Sequence, residues 1–224
     1  MQERVSILPL DSDSLDASAS HAVLRRERIA KLTYDLQTGR KVTDHRFDHF
    51  YPPAIRKLSE THWTPVEVAI RAAELLVSDD RTRVLDVGSG CGKFCTVAAL
   101  SSPGHFTGIE QRPHLVEIAR GLSFELGELG MKRSTFVEGN MVDLDWSGFD
   151  SFYLFNPFYE NTMRSIRIDD TVSLNQEKYS RHIEVVRRKL RSAPVGTRVA
   201  TYHGFGGEMP LGYARVRREP IGSS

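Results

Sequence analysis

The chain has 224 residues, enough for one substantial α/β core with an N-terminal extension rather than a second full domain. Its 30 basic and 29 acidic residues nearly cancel, and its two cysteines, Cys91 and Cys95, are too few and too local for a disulfide framework. No apolar run approaches membrane-spanning length and Met1-Gln-Glu-Arg-Val lacks a secretion-signal pattern, so a soluble, reduced, cytoplasmic protein without membrane contact is expected.

Residues 11–20 are polar and low in complexity, which suits a mobile leader or the approach to a helix cap. Residues 21–39 predict one helix. Phe47-Asp-His-Phe-Tyr-Pro-Pro is an aromatic cluster broken by two prolines, expected to cover a substrate mouth. Thr64 predicts an N-cap with Pro65 at the first helical position and Glu67 at the third, followed by Val66, Ile70, Ala73 and Leu76 at helical spacing.

Residues 82–94, Thr-Arg-Val-Leu-Asp-Val-Gly-Ser-Gly-Cys-Gly-Lys-Phe, read as a buried strand, a glycine turn and the start of a helix. A turn of this kind tolerates positive φ and lets a ligand approach backbone N–H groups at a helix entry. A dinucleotide fingerprint counted from Gly88 needs glycine at 93, where Lys93 stands, which argues against a nucleotide-dependent oxidoreductase. The spacing Asp86-x-Gly88-x-Gly90-x-Gly92 resembles the first motif of the class I S-adenosyl-L-methionine-dependent methyltransferases.

That resemblance implies that Asp86, Gly88, Ser89, Gly90, Cys91 and Gly92 surround the amino-acid end of S-adenosyl-L-methionine. Cys91 reads as loop lining and Cys95 as helix packing. Trp63, just before the first core helix, is a candidate wall of the pocket and His62 a candidate proton acceptor, against equally weighted readings as a packing Trp and a surface His.

His105-Phe-Thr-Gly-Ile-Glu110 reads as a second buried strand ending in a carboxylate, at the distance a ribose-binding acid needs. In the resembled family that acid takes both ribose hydroxyls, and Gln111 and Arg112 border the adenine pocket. The third strand, Ser134 to Glu138, leads into Gly139-Asn140-Met141-Val142-Asp143. Asn140 stands where family members often carry aspartate, so adenine recognition falls to Asn140, Met141 and Asp143 between them.

The fourth strand, Asp150 to Phe155, opens into Asn156-Pro157-Phe158-Tyr159. This resembles the Asn-Pro-Pro-Tyr motif of methyltransferases acting on amines, with the second proline missing. By that resemblance Asn156 and the Pro157 carbonyl orient the acceptor nitrogen, Asn156 also borders the cofactor, and Phe158 or Tyr159 stacks on a planar target.

Residues 160–174 lack periodicity, and Gln176 to Arg191 predicts a helix with Ile183, Val186 and Leu190 inward. Gly196 to His203 predicts a fifth strand. Only Tyr213 to Glu219 then reads as strand, so either the C-terminal hairpin is abbreviated or the chain stops before its last strand. Residues 61–163 hold 14 acids and 8 bases, residues 164–224 hold 6 and 12, so the C-terminal region is a candidate contact for nucleic acid. A solvated helix face at Arg187, Arg188, Lys189 and Arg191 explains that bias better. The histidines show no metal-site signature, and no metal is expected.

The expectation is an α/β, three-layer Rossmann-like methyltransferase sheet with helices on both faces. Residues 1–58 form the N-terminal extension, leader plus helical lid, and 59–224 the cofactor-binding domain. Its function is methyl transfer from S-adenosyl-L-methionine to an acceptor in RNA, protein or a small molecule. The alternative is a non-catalytic cofactor-binding scaffold or partner subunit.

Overall fold

The computed structural model describes residues 12–128, 132–163, 165 and 167–221. Its strands are β1 (Arg83–Val87), β2 (His105–Glu110), β3 (Ser134–Glu138), β4 (Ser151–Phe155) and β5 (Arg198–Tyr202). All pair in parallel, in the order β3-β2-β1-β4-β5. The chain steps outward from β1 to β3 and then returns to β4 on the opposite side of β1. The loops leaving β1 and β4 therefore diverge, and a crevice opens between them at the carboxyl ends of the strands, where open α/β sheets bind ligands.

Among the described residues, eight α-helices accompany the sheet: α1 (Ser12–Gln37), α2 (Asp44–Asp48), α3 (Pro53–Arg56), α4 (Ser59–His62), α5 (Val66–Leu76), α6 (Lys93–Ser101), α7 (Pro113–Gly127) and α8 (Gln176–Arg191). Alternate strand residues face opposite layers. Val84, Phe106, Phe136 and Tyr153 pack with Leu32, Ala69, Phe94 and Leu115 on one face. Leu85, Ile109, Phe152 and Leu154 pack with Val186, Leu190 and Trp146 on the other. The result is the expected three-layer Rossmann-like architecture. Phe94 and Tyr153 stack at 3.8 Å between centroids, locking α6 onto β4. No helix among the described residues is long and apolar enough to cross a membrane.

Several local expectations are corrected. Helix α1 starts at Ser12 rather than near residue 21, since Ser12 to Ser20 contains no glycine or proline to stop it. The aromatic cluster does not cover the substrate mouth: Phe47 and Tyr51 are buried in the core with Phe94. Thr64 does not cap α5, because its hydroxyl meets the Tyr153 hydroxyl at 3.1 Å. Asp44 from α2 takes that role, its Oδ1 accepting the Val66 N–H at 2.8 Å. Tyr213 to Glu219 forms no strand. Val216 is fully exposed, Tyr213 packs back toward α8 with its hydroxyl donating to the Leu190 carbonyl at 3.0 Å, and Glu219 grips Arg71 of α5 through two 2.7 Å bonds.

Candidate functional site at the carboxyl ends of the strands

The loop after β1 supplies the floor of the site. Gly88 (φ +78) and Gly90 (φ +53) adopt left-handed conformations that favour glycine. The N–H groups of Gly88 and Ser89 both donate to the Ile109 carbonyl at 3.0 Å, folding the loop over the end of β2. Trp63 holds it from the other side: a Cβ at Gly90 would meet the indole ring at 2.4 Å, and the indole N–H donates to the Ile55 carbonyl at 2.8 Å. A Cβ at Gly88 would lie 3.2 Å from Pro157 Cβ, so the glycine loop abuts the turn that leaves β4.

Between these loops lies a cavity of about 520 Å³. Of the residues expected at the cofactor, Gly88, Gly90, Glu110, Gln111, Asn140, Met141 and Asn156 line it, together with Arg112, His62 and Trp63. Pro157, Phe158 and Tyr159 line its other end. Asp86 and Ser89 instead edge a smaller void beside Trp63 and Phe155. Cys91 is sealed in the core, and Gly92 packs where a Cβ would meet Phe136 at 2.6 Å. Asp143 does not line the cavity.

Glu110 is buried at the tip of β2, and the backbone saturates most of it. Oε2 accepts the Gly90 N–H at 3.1 Å, and Oε1 accepts those of Gln111 and Arg112 at 3.0 Å. A carboxylate offers about four acceptor sites. Three are already taken, which leaves room for one ribose hydroxyl rather than two. Burial raises the Glu110 pKa, and the Arg112 amide and guanidinium oppose that rise.

Asp86 is more isolated: burial pushes its pKa up to about 8, countered by the Cys95 thiol, which donates to Oδ2 at 3.6 Å. A buried acid of this kind favours a cation beside it. Ser89 Oγ is also buried and lacks a partner. Asn140 Oδ1 accepts the Val142 N–H at 3.1 Å, fixing the turn after β3. Open glycine backbone and a strand-end carboxylate with one free lone pair line the cavity and fit polar groups of S-adenosylmethionine, with the buried acid Asp86 in the adjoining void.

At the other end, Asn156 (φ 38) and His203 (φ 58) are the two non-glycine residues with positive φ among those described. They end neighbouring strands, both line the cavity, and the Asn156 N–H donates to the Gly204 carbonyl at 2.9 Å. Such backbone costs about 1–3 kcal/mol and gathers at functional sites. His203 packs on Tyr202 with centroids 4.2 Å apart. His182 of α8 lines the cavity behind Phe158, and its buried Nδ1 has no partner. Burial lowers the pKa of both His62 and His182. Sequence reading missed His182, His203 and Glu160 as lining residues. Only the adjacency of β4 and β5 would have placed His203 beside Asn156.

Residues 78–187 match the family model described as a methyltransferase domain. That match places this region among methyltransferase domains. Similar solved structures include an RNA methyltransferase from Salinibacter ruber in complex with S-adenosyl-L-homocysteine, 27% identical over 45% of this chain and 63% of that one, TM-score 0.36. A SAM-dependent methyltransferase from Geobacter sulfurreducens, also in complex with S-adenosyl-L-homocysteine, is 21% identical over 67% and 55%, TM-score 0.44. TrmN from Thermus thermophilus is 17% identical over 65% and 40%, TM-score 0.47. The chain thus spans less than two thirds of the length of each. No curated protein matches the chain.

Proposed function

We propose that this methyltransferase domain transfers a methyl group to a nitrogen of its acceptor, with Asn156 and the Pro157 carbonyl orienting that nitrogen. The observation that supports the reading is the close approach of Gly88 to Pro157, which brings the glycine loop and the turn after β4 to one cavity. When bound, S-adenosyl-L-methionine supplies a methyl group already activated on a sulfonium, so the protein's task is mainly positioning.

Glu110, Asn140 and the Met141 backbone hold the adenosine end, and the Gly88–Gly90 backbone faces the methionine end, with the Asp86 carboxyl in the void behind it. Phe158 and Tyr159 flank the acceptor. His62, half-buried and held neutral near pH 7 by burial, is the group placed to take the acceptor's proton. RNA, protein and small molecules all remain acceptor classes for the screen.

Calorimetric titration with S-adenosylmethionine, S-adenosylhomocysteine and NAD tests the reading. Binding of the first two, followed by transfer of a tritiated methyl group to nitrogen in RNA, protein or metabolite fractions, is expected. Preference for NAD would sink it, and binding without any turnover would favour the non-catalytic scaffold.

A further inference from the structure

Arg112 stands just past Glu110, at the entry to α7, and is almost sealed from water. It serves both ends of the cavity. On the cofactor side its backbone N–H donates to Glu110 Oε1 at 3.0 Å, and its Nη1 lies 3.6 Å from that same oxygen. On the acceptor side its Nη2 donates to Glu160 Oε2 at 2.8 Å and its Nε to Asp169 Oδ1 at 3.1 Å. A guanidinium carries its N–H donors in a rigid planar fork, so it holds several carboxylates in fixed relative positions where an ammonium does not.

The segment it grips follows the Asn156-Pro157 turn and lines the cavity with Glu160, Asn161, Ile168 and Leu174. Side-chain bonds tie this wall together. Glu160 Oε2 also accepts the Ile168 N–H at 2.8 Å, Asp169 Oδ1 accepts the Thr171 N–H at 2.9 Å, and Arg167 Nη2 donates to the Leu174 carbonyl at 2.9 Å. Through Glu160 and Asp169, Arg112 therefore joins the acceptor wall to the strand-end acid assigned to the ribose. The same pair bears on His62, whose pKa burial lowers, Glu160 raises and Arg112 lowers further.

We infer that Arg112 is a positioning residue that makes the acceptor wall respond to the cofactor. The inference deepens the methyltransferase reading above and rests on it. A ribose hydroxyl donating to Glu110 satisfies that carboxylate and weakens its pull on the guanidinium, leaving Arg112 more fully to Glu160 and Asp169. The acceptor wall is then firmest when the cofactor is in place, which favours binding of cofactor before acceptor. Arg112 acts through the two carboxylates rather than on the reacting atoms.

The test is hydrogen-exchange mass spectrometry on the full chain, free and saturated with S-adenosylhomocysteine, read on peptides spanning Ile168 to Leu174. In the wild type the ligand is expected to slow exchange there by at least about fivefold, the lower end of typical coupling between sites. Arg112→Lys keeps the buried charge and loses the fork, so it should still bind S-adenosylhomocysteine while that slowing disappears. Glu160→Gln, which keeps an oxygen for Arg112 and for the Ile168 N–H, should slow by an intermediate factor, and it reads the same link if the lysine variant does not fold. Were Arg112 only a structural prop, the wall of Arg112→Lys would exchange faster in both states and the ratio between them would match wild type. That result, wild-type slowing in Glu160→Gln, or no slowing in a wild type that binds the ligand overturns this inference alone. Failure of S-adenosylhomocysteine to bind in calorimetry overturns the cofactor reading and this inference with it.

Discussion

Lys93 Nζ lies 2.7 Å from Asp48 Oδ1, with both side chains almost sealed from water. The same ammonium sits 2.7 Å from Asp44 Oδ1 and donates to Ser59 Oγ at 3.0 Å. Lys93 opens the helix that follows the glycine loop, while Asp44 and Asp48 belong to α2 and Ser59 to α4. The ion cluster thus fastens the N-terminal segment to the cofactor loop, and Asp44 caps α5 as well.

Removing only the cation leaves Asp48 buried and unpaired, the costly case for a buried pair. Lys93→Met is expected to lower stability by about 3–5 kcal/mol in urea unfolding. Adding Asp48→Leu should recover part of that loss. Equal stability of Lys93→Met and wild type would show that the cluster fastens nothing.

The pH response of Asp86 has a definite sign. Its folded pKa, about 8, lies above its ordinary 3.8, so the folded state holds a proton that the unfolded state has released between those values. Stability of the unliganded protein from this group is full below the lower value and is lost as pH rises toward about 8, levelling off above it. Asp86→Asn cannot ionise, so it should gain in melting temperature relative to wild type across that window and bind S-adenosylmethionine more weakly. Cofactor binding should also release a proton below pH 8, read from calorimetry in buffers of different ionisation enthalpy. Identical pH–stability curves for the two proteins would rule the account out.

Glu110 combines two tasks, because its carboxylate orders the Gly90 amide and keeps one lone pair toward the cavity. Glu110→Ala is expected to weaken S-adenosylmethionine binding by about 10- to 100-fold, the loss of one charge-assisted hydrogen bond. Glu110→Gln, which keeps one acceptor oxygen, should fall between the two. Unchanged affinity in the alanine variant would remove Glu110 from the pocket.

The fold was legible because its signals are local. Val84, Leu85 and Val87 mark a strand covered on both faces, and glycines at 88, 90 and 92 mark a turn that side chains would obstruct. What stayed illegible depends on partners distant in sequence. Lys93 read only as a departure from a dinucleotide pattern, since nothing near it announces Asp44 and Asp48. Thr64 read as a cap because its hydroxyl's true partner, Tyr153, lies 89 residues away. The same reason explains the site. Asp86 was assigned correctly to the first strand's end, but only the packing of Trp63 shows that it edges a separate small void.

The paired strain at Asn156 and His203 gives a test that separates backbone from side chain. At φ 58 an L-residue pays roughly 1–2 kcal/mol that glycine avoids. His203→Gly should therefore be about 1 kcal/mol more stable than His203→Ala, although glycine is ordinarily the less stabilising of the two. Asn156→Gly and Asn156→Ala should show the same order at φ 38. Both Asn156 variants should bind S-adenosylmethionine as wild type does and lose methyl transfer, because the amide that orients the acceptor is gone while the glycine loop is intact. If Asn156→Gly kept full transfer, the turn's shape rather than the Asn side chain would be what the reaction needs.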